Sequence, residues 1–251
     1  MSTLDSRSLQ YVDCFGQKFS SPGTVRYRLT TAAGADQPVE EDIEEETFTI
    51  EVKDGPRLQA GERGESRQHQ VSVRQEEPEL VQEAGAPAPG RQRRRRRKRL
   101  VADPPRLEIA VGDVVLWNSP EPSPPGFAVR GEGENHTFDS SSLVSECVYT
   151  HAFGTPDDYE WVDANGGRVS GVVRVRSLDV NNKAERKRWL EAMKDGALVV
   201  IRDDQAEPDQ IDIVAGQTVF WAIQYAPGIT ITDARLIRGA EEAYAGADTA
   251  D

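Results

Sequence analysis

Two stretches of the chain share one residue pattern at the same spacing, and this repeat limits the folds that the chain can adopt. Residues 4–27 read LDSRSLQYVDCFGQKFSSPGTVRY, and residues 138–161 read FDSSSLVSECVYTHAFGTPDDYEW. Both begin with a D-S-x-S-L motif, followed at matching offsets by an aromatic residue, a phenylalanine, a proline and a second aromatic residue. The chain therefore contains at least one structural unit twice.

A second repeat links the middle of the chain to its C-terminal part. LEIAVGDVVLWNS at 107–119 matches IDIVAGQTVFWAI at 211–223, and QVSVR at 70–74 matches LVVIR at 198–202. Each segment alternates apolar and polar residues between turn-forming residues, which is the pattern of β-strands. The two repeats predict an all-β fold with Greek-key β-sandwiches.

The distribution of the repeats predicts how the sandwiches are assembled. Residues 66–176 contain both patterns and are interpreted as one continuous sandwich. Residues 1–53 match only its second half and residues 197–240 only its first half, and neither half can bury its apolar face alone. We therefore expect the two chain ends to form one discontinuous sandwich. The alternative is completion between neighbouring subunits, head to tail, which builds a ring or a fibre.

A single helix is predicted at residues 179–196, as a linker before the C-terminal repeat. Good helix formers dominate this segment, and Asn181 can cap its start. Three apolar residues fall on one face of such a helix: Trp189, Leu190 and Met193.

The order of the motifs resembles that of cupredoxins, the plastocyanin-like copper proteins. The resemblance rests on LEIAVGDVVLWNS at 107–119, NHTF at 135–138 and YTHAFGTPDDYEWVDANGGRVSGVVRV at 149–175. These segments follow the family motifs V-x-x-G-D-x-V-x-W-x-N, N-H-x-F and F-x-x-P-G-x-Y-x-Y. The resemblance covers most of residues 66–176 and implies a plastocyanin-like sandwich. It also implies a blue-copper site, which needs two histidines, a cysteine thiolate and a weak axial methionine.

The copper ligands that the resemblance implies are largely replaced in this chain. His136 stands at the first histidine position, but Asp163, Gly166 and Val169 stand where the family has cysteine, histidine and methionine. In the C-terminal repeat, the sequence alignment places Ile229 at the position of His136. We therefore expect no copper cofactor, with His136 as a weak metal candidate. An electron-transfer cupredoxin is kept as an alternative function.

The strongest charge feature is RQRRRRRKR at residues 91–99, which holds eight basic groups in a chain of net charge −13. It lies in a basic loop, 76–105, that is an insertion relative to the C-terminal repeat. Guanidinium groups bind carboxylates and phosphates through paired hydrogen bonds. The predicted partner-binding residues are Arg91, Arg93, Arg94, Arg95, Arg96, Arg97, Lys98 and Arg99.

An acidic insertion offers a mate for these groups. Its acidic residues are Glu40, Glu41, Asp42, Glu44, Glu45 and Glu46. The basic loop is expected to clasp this segment or an acidic surface of a neighbour. Nucleic acid is the alternative partner. Against it, no aromatic residue interleaves the basic run, and the rest of the chain has 22 Lys and Arg (30 less these eight) against 43 Asp and Glu.

Other sequence features point away from catalysis and membranes. The chain has no G-x-S-x-G or H-E-x-x-H motif and no Gly-rich phosphate loop. It has no apolar run of about 20 residues and no apolar signal-peptide core. We interpret it as a non-enzymatic subunit of an assembly such as a virion, with protein partners and cytoplasmic synthesis. A ligand-binding module is a further alternative. Cys14 and Cys147 are expected to be free thiols.

Overall fold

The computed structural model describes residues in five ranges: 3–31, 46–54, 66–76, 99–121 and 126–239. Within them lie seventeen β-strands, one ten-residue helix and a short helical segment at 234–239. The fold is therefore all-β with little helix, as predicted. In the described part of the chain, no helix combines the length and the apolar character that crossing a bilayer requires.

The strands fall into two groups that we name unit 1 and unit 2. Unit 1 comprises β1 (Asp13–Lys18), β2 (Gly23–Thr31), β3 (Thr47–Lys53), β4 (Gln68–Glu76), β5 (Arg99–Asp103), β6 (Arg106–Ala110), β7 (Val114–Asn118), β8 (Phe127–Gly133) and β9 (Thr137–Asp139). Unit 2 comprises β10 (Cys147–Ala152), β11 (Asp157–Val162), β12 (Ser170–Arg176), the helix α1 (Lys183–Ala192), β13 (Ala197–Arg202), β14 (Gln205–Glu207), β15 (Gln210–Val214), β16 (Thr218–Tyr225) and β17 (Thr232–Asp233).

One eight-stranded sheet runs through both units, in the order β14-β13-β16-β10-β1-β7-β4-β5. The five-stranded sheet β6-β3-β2-β8-β9 faces its unit 1 half, and the four-stranded sheet β15-β12-β11-β17 faces its unit 2 half. Aromatic rings meet between the facing sheets. Tyr27 lies 5.5 Å from Trp117, and Trp161 lies 6.0 Å from Trp221, measured between ring centroids. The molecule is thus two β-sandwiches that share one sheet.

This pairing corrects the predicted domain arrangement. The three strands within residues 1–53 pair with β6, β7, β8 and β10, and those within residues 197–240 pair with β10, β11 and β12. Residues 66–176, expected to be one sandwich, are divided between the two units. Each chain end pairs with the part of residues 66–176 that is next to it in sequence, because this keeps the connections between strands short. The predicted arrangement would instead have wrapped both chain ends around a completed domain.

The two units repeat the same pairing at the positions that the sequence patterns align. Phe15 lies opposite Trp117 in unit 1, and Tyr149 lies opposite Trp221 in unit 2. The parallel neighbours of these tryptophans, in β4 and β13, also correspond. Residues at such matching positions are called equivalent below.

Aromatic residues fill both cores. Trp117 stacks on Phe15 in unit 1 with ring centroids 5.6 Å apart, and Trp221 stacks on Tyr149 in unit 2 at the same distance. All four side chains are at most 1% exposed. Burial of one large apolar side chain contributes about 1.5–3 kcal/mol, so these clusters supply much of the stability of each unit.

The units join through β1 and β10, which are equivalent strands paired antiparallel. Phe15 lies directly opposite its own equivalent, Tyr149, so a local two-fold axis passes between them. On its other side β1 pairs with β7, and β10 pairs with β16. Each strand would be an open edge in an isolated unit, and the junction places both at the centre of the eight-stranded sheet.

The first D-S-x-S-L motif marks a crossing of the chain between the units. Ser6 donates its backbone N–H to the carbonyl of Ile231 in unit 2 at 2.9 Å, and its hydroxyl accepts the N–H of Ile231 at 3.1 Å. Three residues later, Leu9 exchanges two backbone hydrogen bonds with Phe127 of unit 1. The segment before β1 therefore adds to the sheet of the other unit.

The second D-S-x-S-L motif makes the reciprocal crossing. Ser140 donates its N–H to the carbonyl of Val129 in unit 1 at 2.9 Å, and its hydroxyl accepts the N–H of Val129 at 3.0 Å. Leu143 then exchanges two backbone hydrogen bonds with Ile229 of unit 2. Both serines are fully buried. The segment before β1 thus hydrogen-bonds to unit 2, and the segment before β10 hydrogen-bonds to unit 1.

The predicted linker helix is found as α1, with differences in detail. Asn182, one residue after the expected Asn181, caps the helix by accepting two backbone N–H groups of the first turn. Trp189 donates its indole N–H to the carbonyl of Ala215, 3.0 Å away, and so anchors α1 to the turn before β16. Leu190 is 51% exposed, so the predicted apolar face is covered in part.

Candidate functional site

Unit 1 carries two insertions that are much shorter at the equivalent places of unit 2. The β4–β5 connection has 22 residues (77–98), whereas Asp203 and Asp204 make the whole turn between β13 and β14. The β2–β3 connection has 15 residues (32–46), against seven (163–169) between β11 and β12. The basic and the acidic runs of the sequence lie in these two insertions.

Arg99 joins the ends of both insertions. Its guanidinium lies 3.0 Å from the carboxylate of Glu76, across the β4–β5 pair, and 3.4 Å from that of Glu46, the residue before β3. The hydrogen bonds that Arg99 donates to Glu76, and then the charge of Glu46, raise the pKa of Arg99 above its usual value. The residue that follows the basic insertion therefore contacts the last residue of the acidic insertion at one end of unit 1.

Most of the predicted binding residues lie outside the described residues. They are Arg91, Arg93, Arg94, Arg95, Arg96, Arg97 and Lys98 on the basic side, and Glu40, Glu41, Asp42, Glu44 and Glu45 on the acidic side. Of the predicted set, the structure describes Arg99 and Glu46 and places them in contact. The roles of the others stay predictions.

A second polar cluster is buried at the junction of the units. One carboxylate oxygen of Asp13 in β1 accepts the hydroxyl of Tyr149 at 2.9 Å and lies 2.6 Å from Nδ1 of His151, both in β10. The other oxygen accepts the backbone N–H of Gln10 at 2.7 Å. All three side chains are at most 3% exposed. The cluster therefore ties a strand of unit 1 to a strand of unit 2.

Burial is the largest influence on the pKa values of Asp13 and Tyr149. It raises the pKa of Asp13 above its usual value, although the contacts with His151, Gln10 and Tyr149 act in the opposite direction. Burial, and then the charge of Asp13, raise the pKa of Tyr149 well above its usual value, so the phenol stays a hydrogen-bond donor at neutral pH. An acid–histidine pair in a cleft would be a catalytic candidate. Here both side chains are at most 3% exposed, and the pair links β1 to β10 inside the protein.

The sequence analysis did not identify the pairing of His151 with Asp13. The two lie in stretches that align with each other, and no local pattern connects them. At the other end of the same strand pair, Gln17 lies opposite Cys147, and these are the equivalents of His151 and Asp13. The alignment matches Asp13 with Cys147 and His151 with Gln17, so the acid–histidine pair can be recognised only once the register of β1 against β10 is known.

The metal candidate His136 has partners that are not metal ligands. Its Nε2 lies 2.7 Å from the carbonyl of Ser21, and its ring packs edge-on against Phe19 with centroids 5.2 Å apart. Among the described residues, no group of three His, Cys, Asp or Glu side chains is arranged to hold a metal ion. Strand pairing also makes Ile229 equivalent to Phe127, and not to His136 as the alignment placed it.

Asp163, which stands at the cysteine position of the cupredoxin motif, holds a loop in place. One of its carboxylate oxygens accepts the backbone N–H groups of Asn165 and Thr230, both at 2.9 Å. These bonds attach the β11–β12 loop to the residues before β17. A carboxylate engaged in this way does not replace a thiolate, so the residues present do not fit a blue-copper centre.

Asp113 organises the β6–β7 turn of unit 1. Its carboxylate accepts the backbone N–H groups of Ala110 at 3.1 Å and Arg67 at 3.0 Å, and it lies 2.8 Å from Nε2 of His69. The equivalent residue of unit 2 is Gln217, which accepts the corresponding backbone N–H with its amide oxygen. The amide nitrogen of Gln217 donates to carbonyls at the end of α1 and just after it. The two turns are thus held by equivalent hydrogen bonds, which a carboxylate accepts in unit 1 and an amide oxygen accepts in unit 2.

Comparisons of the chain with family models, with curated proteins and with solved structures find no match. The cupredoxin-like interpretation therefore rests on the quoted motifs and stays a prediction.

Proposed function

We propose that this protein is a non-enzymatic subunit of a larger assembly, such as a virion or another particle, and that its Arg-rich loop contacts an acidic protein surface. The observation that carries the proposal is the contact of Arg99 with Glu46 and Glu76. It brings the base of the basic insertion to the base of the acidic one. Because unit 2 has short turns at the equivalent places, the charged insertions are additions to a scaffold that folds without them.

The chemistry of the insertions suits a contact between protein surfaces. A guanidinium binds a carboxylate through two parallel hydrogen bonds, and a run of them can hold many carboxylates at once. Each exposed ion pair contributes only about 0–1 kcal/mol, so a useful contact needs many of them. Arg99 itself is 59% exposed, and its contacts belong to this weak class. The acidic mate is the segment around Glu46, in the same chain or in a neighbour.

The proposal is tested by removing the charge of the loop. In the loop variant, Arg93, Arg94, Arg95, Arg96 and Arg97 are replaced by Gln. In the control variant, five exposed basic residues on α1 and just after it are replaced by Gln: Lys183, Arg186, Lys187, Arg188 and Lys194. Light scattering measures the mass of each protein in low and in high salt.

The wild type is expected to form oligomers that weaken as salt rises, because the Debye length falls from about 10 Å at 0.1 M to about 3 Å at 1 M. The loop variant should lose these oligomers, and the control variant should keep them. A wild type that is monomeric in low salt contradicts the proposal. Tight binding to duplex DNA at physiological salt, lost in the loop variant, would identify nucleic acid as the partner instead.

A further inference from the structure

The outward face of unit 2 in the eight-stranded sheet is apolar. Leu198 and Phe220 lie side by side on β13 and β16 and are 54% and 39% exposed. Val200 and Ala222 form the next pair along these strands, and Val148 of β10 lies beside Ala222. We name these five residues the outer patch. The residues that alternate with them point into the core, so the outer patch belongs to the opposite face of the sheet.

The outer patch continues across the junction into unit 1. Gly16 of β1 lies beside Val148 on one side and Leu116 of β7 on the other. A Cβ atom placed on Gly16 would come within 2.6 Å of Cγ1 of Val148 and 2.7 Å of Cδ2 of Leu116. The two side chains therefore close over the glycine and join the apolar surfaces of the two units.

Beyond Leu116, the equivalent face of unit 1 is polar, on β4 and at the end of β7. Gln70 stands where unit 2 has Leu198, and Asn118 stands where it has Ala222. The amide nitrogen of Gln70 donates to the side-chain oxygen of Asn118 at 2.9 Å. A sheet face open to water normally carries polar side chains, as unit 1 does. Unit 2 has apolar side chains at these outward positions, although its core-facing residues resemble those of unit 1. We therefore attribute the difference to a contact made by the outward face of unit 2.

We propose that the outer patch is covered by the same patch of a second copy of this chain, sheet face against sheet face. The face that contains the outer patch spans β13, β16, β10, β1 and β7. With strands about 4.8 Å apart and three outward positions about 7 Å apart on each, the whole face measures roughly 400–500 Å², with the polar residues Lys18, Asn118 and Arg202 at strand ends. Two such faces bury on the order of 1,000 Å², which is the lower limit of specific interfaces and predicts a weak, reversible dimer.

Charge also favours a second copy at this face. The five residues of the outer patch are uncharged. The nearest charged groups on the face stand at strand ends: Glu207, opposite Val200 on β14, and Arg202 and Lys18. Lys18 is paired with Glu146. Two chains of net charge −13 repel each other. An uncharged face is where they can approach with the least repulsion, and salt lowers that repulsion further.

This inference deepens the proposed function and rests on it, because it identifies one neighbour of the assembly subunit. The two contacts respond to salt in opposite directions. The contact of the charged insertions weakens as salt rises, whereas the contact of the outer patch strengthens. One series of measurements can therefore separate them.

The experiment replaces two residues of the outer patch by those of unit 1. In the patch variant, Leu198→Gln and Val200→Ser introduce the residues found at the equivalent Gln70 and Ser72. The control variant is Gln70→Ser, on the polar face. Sedimentation over a range of protein concentrations measures the association constant at about 0.1 M and about 1 M salt. The loop variant, which lacks the charged contact, should associate more strongly at 1 M than at 0.1 M salt. At 1 M salt, where the charged contact is screened, the wild type and the control should still associate through the outer patch, and the association constant of the patch variant should be about tenfold or more lower.

Each result decides the inference. A wild type that stays monomeric at high salt overturns it, and so does a patch variant that associates as strongly as the wild type. If self-association is abolished in the loop variant but unchanged in the patch variant, the result supports the proposed function and overturns this inference. Binding of the wild type to lipid vesicles while it stays monomeric would show a different occupant and would also overturn it. If the double variant fails to fold, Leu198→Lys alone repeats the test at an exposed position.

Discussion

Unit 1 and unit 2 share their strand pairing and their aromatic cores but differ in their surfaces. Unit 1 has the charged insertions and a polar outward face, whereas unit 2 has a two-residue turn, a docked helix and an apolar outward face. Because Trp117 and Trp221 occupy the same place in both cores, the core fixes the pairing and leaves the surfaces free to diverge. Our proposals assign a charged contact to unit 1 and an apolar one to unit 2.

The largest expected effect tests whether the two units unfold together. Trp117→Ala and Trp221→Ala each remove a fully buried indole and should each cost about 3–5 kcal/mol. Since β1 and β10 join both cores in one sheet, either change should shift a single unfolding transition common to both units. Urea unfolding followed by near-UV and far-UV circular dichroism measures this. Two transitions, one of them unmoved by the substitution, would mean that the units unfold independently.

A smaller effect is expected at the junction cluster. Asp13→Ala leaves the buried side chains of His151 and Tyr149 without their common acceptor and should cost about 2–3 kcal/mol. The matched control is Gln17→Ala, because Gln17 is the equivalent of His151 at the other end of the same strand pair. Its loss should cost about 1 kcal/mol, the value of an ordinary hydrogen bond. Equal shifts of the urea midpoint in the two variants would contradict a special role for the cluster.

The turns before β7 and β16 should differ in their response to acid. Burial alone would raise the pKa of Asp113, but the N–H groups of Ala110 and Arg67 and the ring of His69 outweigh it, so the pKa lies below its usual value. A lowered pKa in the folded state contributes stability above the unfolded value of about 3.9, and this is lost as pH falls through the folded value. Gln217 has no ionisable side chain, so the turn before β16 lacks this dependence on pH.

Asp113→Asn should therefore make the unfolding midpoint of the protein less dependent on pH below about 4. Amide hydrogen exchange at the two turns, compared at acid and neutral pH, gives the local measurement. In the wild type, the unit 1 turn should lose protection on acidification more than the unit 2 turn. An acid response that is the same in the wild type and in Asp113→Asn would rule out this carboxylate as its source.

The smallest expected effect is that of copper. Addition of Cu(II) should produce no intense blue absorption, because His136 contacts Ser21 and Phe19 and not a set of ligands. His136→Ala should cost only about 1 kcal/mol, through the lost hydrogen bond. Absorption and electron paramagnetic resonance spectra of both proteins check this. A blue signal in the wild type that disappears in His136→Ala would restore the electron-transfer alternative.

The strands could be predicted from the sequence because alternation is a local property, but their partners could not. The half-repeats could pair with each other around the middle of the chain, or each could pair with its neighbour in sequence. Both arrangements fit the same alternation of apolar and polar residues and bury the same apolar side chains. They differ in long-range pairs such as Val52 beside Ile109, which no local pattern specifies. The helix was found because its residues are good helix formers. Its cap was displaced by one residue because Asn181 and Asn182 are both competent caps, and backbone geometry chooses between them.

The candidate site was predictable where it depends on composition. Runs of charge are visible in the sequence, and the structure describes one contact where they end, between Arg99 and Glu46. The pairing of the two insertions with each other stays a prediction. The outer patch was also within reach, since the alignment already set Leu198 against Gln70. It was missed because the outward face of a strand can be identified only once the core-facing residues are known.

Pairing between equivalent strands also sets a limit on growth of the large sheet. A contact in which both partners use the same edge is complete as a pair, whereas a head-to-tail contact can continue without end. The two ends of the sheet are β14, which is three residues long, and β5, which carries Arg99 and Asp103. Short and charged edge strands resist the addition of a further chain. Copies of this protein are therefore expected to enlarge an assembly through faces and loops and not by fibre-like extension of their sheets.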